Sequence, residues 1–430
     1  GVLIEGPIEN NVVDQCHIGV SANGLTKQGN NGEGVSIRSG AKNTWIGGTT
    51  ARGNVISGNQ WRGVGVWDAG TDGTFINGNI IGSNRTVTAS LTTTGEGILI
   101  GNGPKNTKIQ NNTVSGNAYT GIYIWGSGSD SSSIQGNRVG VNGAGTGALP
   151  NGQSGIGVGA PEGASSSPKF TLIGGTLPAH RNVISGNVGS GIYVGHPTMT
   201  NVTISGNWIG VGTNGVASVP NQGSGISIGQ GATIKIGGVT ADERNVIANN
   251  GNTGIYASKA TNLFIQGNWI GYNANRGNAG NQSSSIGLDN CVGPRVGGAG
   301  VDLRNYIGNA AGSAISLWNG TRNGFIQGNI IGLGTTGTGS GPISQTAITV
   351  SGGAHTNMIG GTTAGTANII GNAQGGVGMW DAGTTNNRVY GNWIGFQTNG
   401  SSAPISGTGV SLSTSSSGNY VGGVPVAQRN

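Results

Sequence analysis

The sequence predicts an all-β fold, a single right-handed parallel β-helix of about fourteen coils with three short strands in each. Three observations predict it. Gly supplies 91 of 430 residues, far above ordinary globular use and without a three-residue period. The apolar residues, only 34% of the chain, recur as I-x-I or V-x-V pairs bounded by Gly and Asn, the pattern of half-buried strands between turns. Nearly the whole chain is a variation on one stretch, Arg181–Ile228. It reads RNVISGNVGSGIYVG, a spacer, TISGNWIGVG, a polar loop and GSGISI.

The G-I-x-I strand is the marker of the repeat. Its first apolar residue falls at Val2, Val35, Val64, Ile98, Ile122, Ile156, Ile192, Ile226, Ile255, Ile286, Ile315, Ile348, Val377 and Val410. Most steps are 29 to 36 residues, and Ile98 to Ile122 is short at 24. Two coil types alternate between markers. One carries G-N-x-I-G, at Gly78–Gly82, Gly136–Gly140, Gly206–Gly210, Gly267–Gly271, Gly328–Gly332 and Gly391–Gly395. The other carries I-G-G, at Ile46, Ile173, Ile236, Val296, Ile359 and Val421, followed by N-V-I or a relative at Asn54, Asn182, Asn245, Asn305 and Asn368. Such a coil is too short for a helical crossover and too regular for a sandwich. Stacked parallel on itself, it buries the apolar pairs in one file, which no coil does alone.

Corners after strands need a residue that tolerates positive φ, which Gly and Asn supply. Asn repeated at one corner can also pass side-chain hydrogen bonds along the stack. Asn79, Asn137, Asn207, Asn268, Asn329 and Asn392 are the expected ladder. A rise of about 4.8 Å per coil gives a rod of roughly 65–70 Å, a single domain over residues 1–430. The loop after G-N-x-I-G is long and polar, and is expected to cover Trp208, Trp269 and Trp393 in part.

Several function classes are disfavoured. No apolar run approaches the roughly 20 residues of a membrane span; the start at Gly1, without a basic-then-apolar leader, reads as a processed or excised chain whose secretion signal is already removed. The net charge of +6 is dispersed, without a basic run or a nucleic-acid-binding motif. Cys16 and Cys291 lie many turns apart in the repeat and are expected to be free thiols. The four histidines show no metal-site spacing. No metal or other cofactor is expected; structural calcium stays open but is not indicated.

These repeats resemble the right-handed parallel β-helix, or pectate-lyase-like, superfamily over essentially the whole chain. They look most like its repeat-rich bacterial secreted and surface members with RNVISGN…GIYI…GNWIG…IGG units. The resemblance implies the fold and an extracellular or cell-surface setting. It implies no single activity, because the fold hosts lyases, hydrolases, epimerases, tailspikes, adhesins and inert fibres. The N-T-D, D-D, H-G and R-I-K motifs of polygalacturonases have no counterpart here, nor does the W-I-D-H segment of pectate lyases.

Glycoside hydrolysis needs two carboxylates roughly 5–10 Å apart, and the chain has only fourteen acids. Asp68 and Asp381 occupy the same repeated corner, VWDAGT and MWDAGT, and read as turn residues. Glu33, Arg62 and Glu96 precede the marker Gly in three successive coils and stack as one column. That column reads as an exposed ion-pair ladder at one end of the solenoid, with a pair of active glutamates as the alternative. Two further ladders are candidate binding features. Arg181, Arg244, Arg304 and Arg429 precede the repeated Asn, with Arg52 one place earlier, as a stripe for an anionic ligand or as caps on loop carbonyls. Trp67, Trp125, Trp318 and Trp380 follow the marker pair. The two-coil step within each Trp pair, about 10 Å, is close to a disaccharide repeat, so these residues are candidate carbohydrate contacts or corner packing.

The first residues align with Gly191–Val194 and the last with Arg181–Asn182, so both ends read as uncapped coils. That predicts end-to-end self-association or continuation into a longer solenoid. The leading functional expectation is a secreted or cell-surface structural solenoid, working as a fibre, stalk or matrix component rather than an enzyme. A carbohydrate-active or carbohydrate-binding module is the alternative, and an adhesin or tailspike-like receptor binder the third.

Overall fold

The computed structural model describes residues 1–48, 53–423 and 429–430. They form two compact units, Gly1–Gly223 and Ser224–Asn430. The first unit is built from three parallel sheets visited in rotation, one strand of each per coil. Its first sheet holds the marker strands, from Val2–Glu5 through Val64–Trp67, Ile98–Gly101 and Ile122–Trp125 to Ile192–Thr200. Its second sheet runs from Val12–Val13 to Thr203–Ser205, and its third from His17–Ile18 to Trp208–Ile209. No α-helix occurs among the described residues; the helical turns are the 3₁₀ segments Pro178–His180 and Val301–Leu303.

The register follows the repeat. Ile98 pairs with Ile122, Ile122 with Ile156, and Ile156 with Ile192. Period-2 side-chain alternation then sends Ile100, Ile124, Val158 and Val194 into the core, where each is fully buried. Ile76, Ile109 and Ile134 do the same from the second sheet, and Ile81, Val114 and Val139 from the third. Each such side chain contributes about 1.5–3 kcal/mol by leaving water. The second unit repeats the scheme, with Ile226–Ala232, Ile255–Ser258, Ile286–Asp289 and Ile315–Trp318 in its first sheet. Its second sheet begins at Lys235–Gly237 and its third at Val246–Ile247.

Gly and Asn divide the corner work. In G-N-x-I-G the Gly takes the positive φ, +73° at Gly78 and +71° at Gly206, while the following Asn turns inward. Asn79 Nδ2 donates to Asn112 Oδ1 at 2.9 Å, and Asn112 Nδ2 to Asn137 Oδ1 at 3.0 Å. The same file holds Asn54, Asn182 and Asn207 in the first unit. The second unit has a file of its own, Asn245, Asn268, Asn305, Asn329, Asn368, Asn392 and Asn430. The coils between the six expected Asn supply one as well, because both coil types bring an Asn to the same corner. A second file, Asn117, Asn151, Asn187 and Asn221, lines another corner of the first unit.

The polar loops after the third sheet close as short antiparallel ladders, for example Ser83↔Ser90, Val141↔Ala148 and Val211↔Ser218. They stack on one another across the intervening coil, Gly143 N donating to Val87 O and Thr213 N to Gly145 O.

Candidate functional site

The outward positions of the first sheet in the first unit are Ser36, Gly65, Leu99, Tyr123, Gly157 and Tyr193, in register. Gly65 leaves a gap, and two side chains fill it. A Cβ there would lie 2.5 Å from both Glu33 Oε1 and Trp67 Nε1. Trp67 Nε1 donates to Glu33 Oε1 at 3.1 Å, and Arg62 Nη1 to the same oxygen at 3.4 Å. Arg62 Nε donates to Glu96 Oε2 at 3.0 Å, and its guanidinium lies 4.8 Å above the Trp67 ring. Glu33, Arg62 and Glu96 thus meet in one cluster. It is not the exposed ladder expected from sequence: the Glu33 side chain is only 8% exposed, because Gly65 lets the carboxylate sink beneath Trp67 and Arg62.

An open groove of about 410 Å³ adjoins the cluster, lined by Gln60, Trp61, Arg62, Thr94, Glu96 and Tyr119. Trp61 is 61% exposed and Tyr119 47%. They stand two coils apart, with Gly95 and Glu96 between them: Tyr119 N donates to Gly95 O, and a Cβ on Gly95 would meet Trp61 O. Neither ring was singled out from sequence, since both lie in the polar stretch before the marker Gly. Their aligned positions, three residues before the marker strand in coils two apart, were the available signal. Further along, Tyr123 lies against Gly157, and its phenol pKa is pushed up to about 12 by burial, then by Tyr193 and Glu96.

The second unit has its own aromatic–carboxylate patch on its first sheet. Trp318 stacks on Tyr256 at 6.2 Å, over Gly287, where a Cβ would lie 2.7 Å from the indole. Asp289 accepts from Tyr256 Oη at 3.0 Å and from Asn319 Nδ2 at 3.0 Å. Burial first, then Asp289, raises the Tyr256 pKa. Trp125 and Trp380 are half-buried, Trp380 lying over Gly378.

The arginines have local partners. Arg181 stacks 4.5 Å over Trp208 and donates from Nε to Gly206 O; Arg244 lies 4.6 Å over Trp269 and donates to Gly267 O. Burial, more than any neighbouring charge, lowers the Arg244 pKa. Arg304 Nε is buried without a hydrogen-bond partner, Arg429 lines a cavity with Trp393 and Phe396, and Arg52 lies outside the described residues. The expected burial of three tryptophans is corrected at Trp393, which is 48% exposed where Trp269 is 8%. Ala367 stands where Arg181 and Arg244 cover Trp208 and Trp269. Asp68 and Asp381 hold φ of +73° and +76° and accept backbone N–H bonds from Ser39 and Gly352, as turn residues do.

Strands that rotate through three parallel sheets, coil after coil, make a parallel β-helix. Residues 3–156 of this β-helix match the family model described as periplasmic copper-binding protein (NosD). No curated protein matches the sequence. Among solved structures, the A-module of an Azotobacter vinelandii mannuronan C-5 epimerase shares 14% identity at a TM-score of 0.49, covering 98% of this chain and 91% of that one. The Dettilon tailspike protein shares 14% at 0.41, covering 96% and 62%. A Streptococcus pneumoniae surface adhesin shares 12% at 0.34, covering 99% and 88%. No function is carried over at these identities.

Copper favours converging thiolate, thioether or imidazole ligands. Within residues 3–156 of the β-helix there is one Cys and one His, the adjacent Cys16 and His17, and no Met. Cys16 Sγ points to Asp14 O and His17 Nδ1 to Ala22 O. Among the described residues no three His, Cys, Asp or Glu side chains converge on a metal position. This donor set does not fit the copper of the family description. No described helix is long and apolar enough to cross a membrane.

Proposed function

We propose that this β-helix is a secreted or surface protein that binds polysaccharide along the corner that leads into its first sheet. The carrying observation is the pair of exposed rings, Trp61 and Tyr119, set two coils apart with Glu96 and Arg62 between them. Aromatic faces stack on sugar rings, and a carboxylate and a guanidinium between two platforms can hydrogen-bond the hydroxyls of the bridging residue. Both glutamates are engaged by Arg62, which favours binding over acid–base cleavage of the chain. The Tyr256–Trp318–Asp289 patch offers the second unit the same chemistry.

The test is calorimetric titration with a panel of neutral oligosaccharides against wild type and W61A/Y119A. The reading expects at least one glycan to bind, and binding to fall at least tenfold in the variant with its melting temperature unchanged. Equal binding by both proteins, or none by wild type, overturns it.

A second reading, a structural element of an extracellular fibre or matrix, is supported by the Asn files, which give each coil the same amide face and a rigid stack. Electron microscopy of the purified chain tests it: filaments support it, and discrete short particles at high concentration oppose it.

A further inference from the structure

The second sheet of the second unit presents an outward column that the sequence motifs do not reveal. Lys235, Phe264, Arg295 and Phe325 stand in register on successive coils, followed by Met358, Arg388 and Tyr420. Lys235, Arg295, Phe325, Arg388 and Tyr420 are exposed, and Phe264 and Met358 half-buried. At about 4.8 Å per coil the column is roughly 30 Å long. The Arg295 guanidinium lies between two rings, 6.0 Å from Phe264 and 5.1 Å from Phe325. Arg322 and His355 bridge along the adjoining corner.

No carboxylate interrupts this face. The second unit carries nine Lys or Arg against five Asp or Glu. Asp289 belongs to the first sheet and Asp381 to the corner after it, while Asp242, Glu243 and Asp302 precede third-sheet strands. Beside the column, Gln266 and Gln327 lie flat, each donating to the carbonyl of the next coil, Gly297 and Gly360. The cations and ring edges therefore stand clear of the sheet.

We propose that this face binds a linear polysaccharide polyanion, carboxylated or sulfated, laid along the column. A straight row of cations at multiples of the coil rise matches a stiff polymer with regularly repeated anionic groups. The ring faces of Phe264 and Phe325 are turned to Arg295, which leaves no slot for stacked bases and disfavours single-stranded nucleic acid. Each exposed charge contributes little and is screened by salt, so affinity accumulates over rungs. The site is separate from the Trp61–Tyr119 groove and does not depend on the reading given to that groove.

The test uses the full chain with polygalacturonate and heparin fragments of graded length, neutral dextran and single-stranded DNA, at low and high salt. Wild type is expected to bind a polyanionic glycan, more tightly as fragments lengthen towards 30 Å, and at least tenfold more weakly at high salt. R295Q/R388Q is expected to bind at least tenfold more weakly with an unchanged melting temperature, whereas W61A/Y119A binds as wild type. R295K, which keeps the charge, is expected to retain most of the affinity. Polyanion binding that survives R295Q/R388Q, that is lost in W61A/Y119A, or that DNA matches in strength overturns the proposal, as does a wild type that binds no polyanion.

Discussion

The side-chain amide of Asn79 donates to Asn112 Oδ1 at 2.9 Å, and the Asn79 backbone N–H donates to the same oxygen at 2.9 Å. Asn112 in turn donates to Ile76 O and to Asn137 Oδ1, so one fully buried amide ties three coils together. Removing it strands several buried groups, each costing about 1–3 kcal/mol. Asn112→Ala is expected to destabilise by about 3 kcal/mol or more in urea denaturation. Asn106→Gly, at a corner φ of +57°, should change stability by less than about 1 kcal/mol.

Gly65 holds the Glu33 carboxylate under Trp67. Gly65→Ala places a methyl 2.5 Å from Glu33 Oε1 and Trp67 Nε1, and overpacking of this kind costs about 1–3 kcal/mol. The expected outcome is a lower denaturation midpoint and a shifted Trp67 indole N–H resonance. Gly32→Ala, with nothing within 4 Å of the added carbon, should leave both unchanged.

The Tyr123 phenol has its pKa pushed up to about 12, from an ordinary value of 10.0. The fold therefore favours the neutral phenol. Its contribution to stability is complete below about pH 10, the unfolded value, and declines as pH rises towards 12. Titration of phenolate absorbance is expected to show one tyrosine ionising near pH 12 that is missing in Tyr123→Phe. The variant should also lose less stability than wild type between pH 10 and 12.

Thr44, Thr74 and Thr107 bury hydroxyls that have no hydrogen-bond partner, at one corner of the first unit. Thr107→Val removes an unpaired polar atom at nearly constant shape, and is expected to be neutral or stabilising by about 1 kcal/mol. At Thr321 the hydroxyl donates to Leu288 O and accepts from Cys291 N. Thr321→Val should instead destabilise by about 1–3 kcal/mol. Thermal melts of the two variants compare the cases directly.

The register was legible because I-x-I recurs with few interruptions: Val35, Val64 and Ile98 could be aligned on paper and are paired in space. The column of Glu33, Arg62 and Glu96 followed from that register, but its burial did not. The sinking of Glu33 depends on the missing side chain of Gly65, in a chain where Gly is too common to signal anything. Asn112 escaped notice because its coil reads QNNTV rather than GNWIG or RNVI. The Phe264–Arg295–Phe325 column was hidden for a related reason: its members belong to FIQ, RVG and FIQ segments, whose likeness lies in the central apolar residue rather than in the outward one.

Every site described here depends on neighbouring coils lying one above another in the stated register. Disulfide trapping tests that most directly. Leu99 and Tyr123 are partners on adjacent strands, about 4.8 Å apart, whereas Leu99 and Tyr193 are three coils apart, roughly 14 Å. Under mild oxidation, the pair of substitutions Leu99→Cys and Tyr123→Cys should cross-link, with the bond mapped by mass spectrometry, and the pair Leu99→Cys and Tyr193→Cys should remain reduced. Cross-linking of the second pair and not the first would contradict the stacking, and with it every column drawn from it.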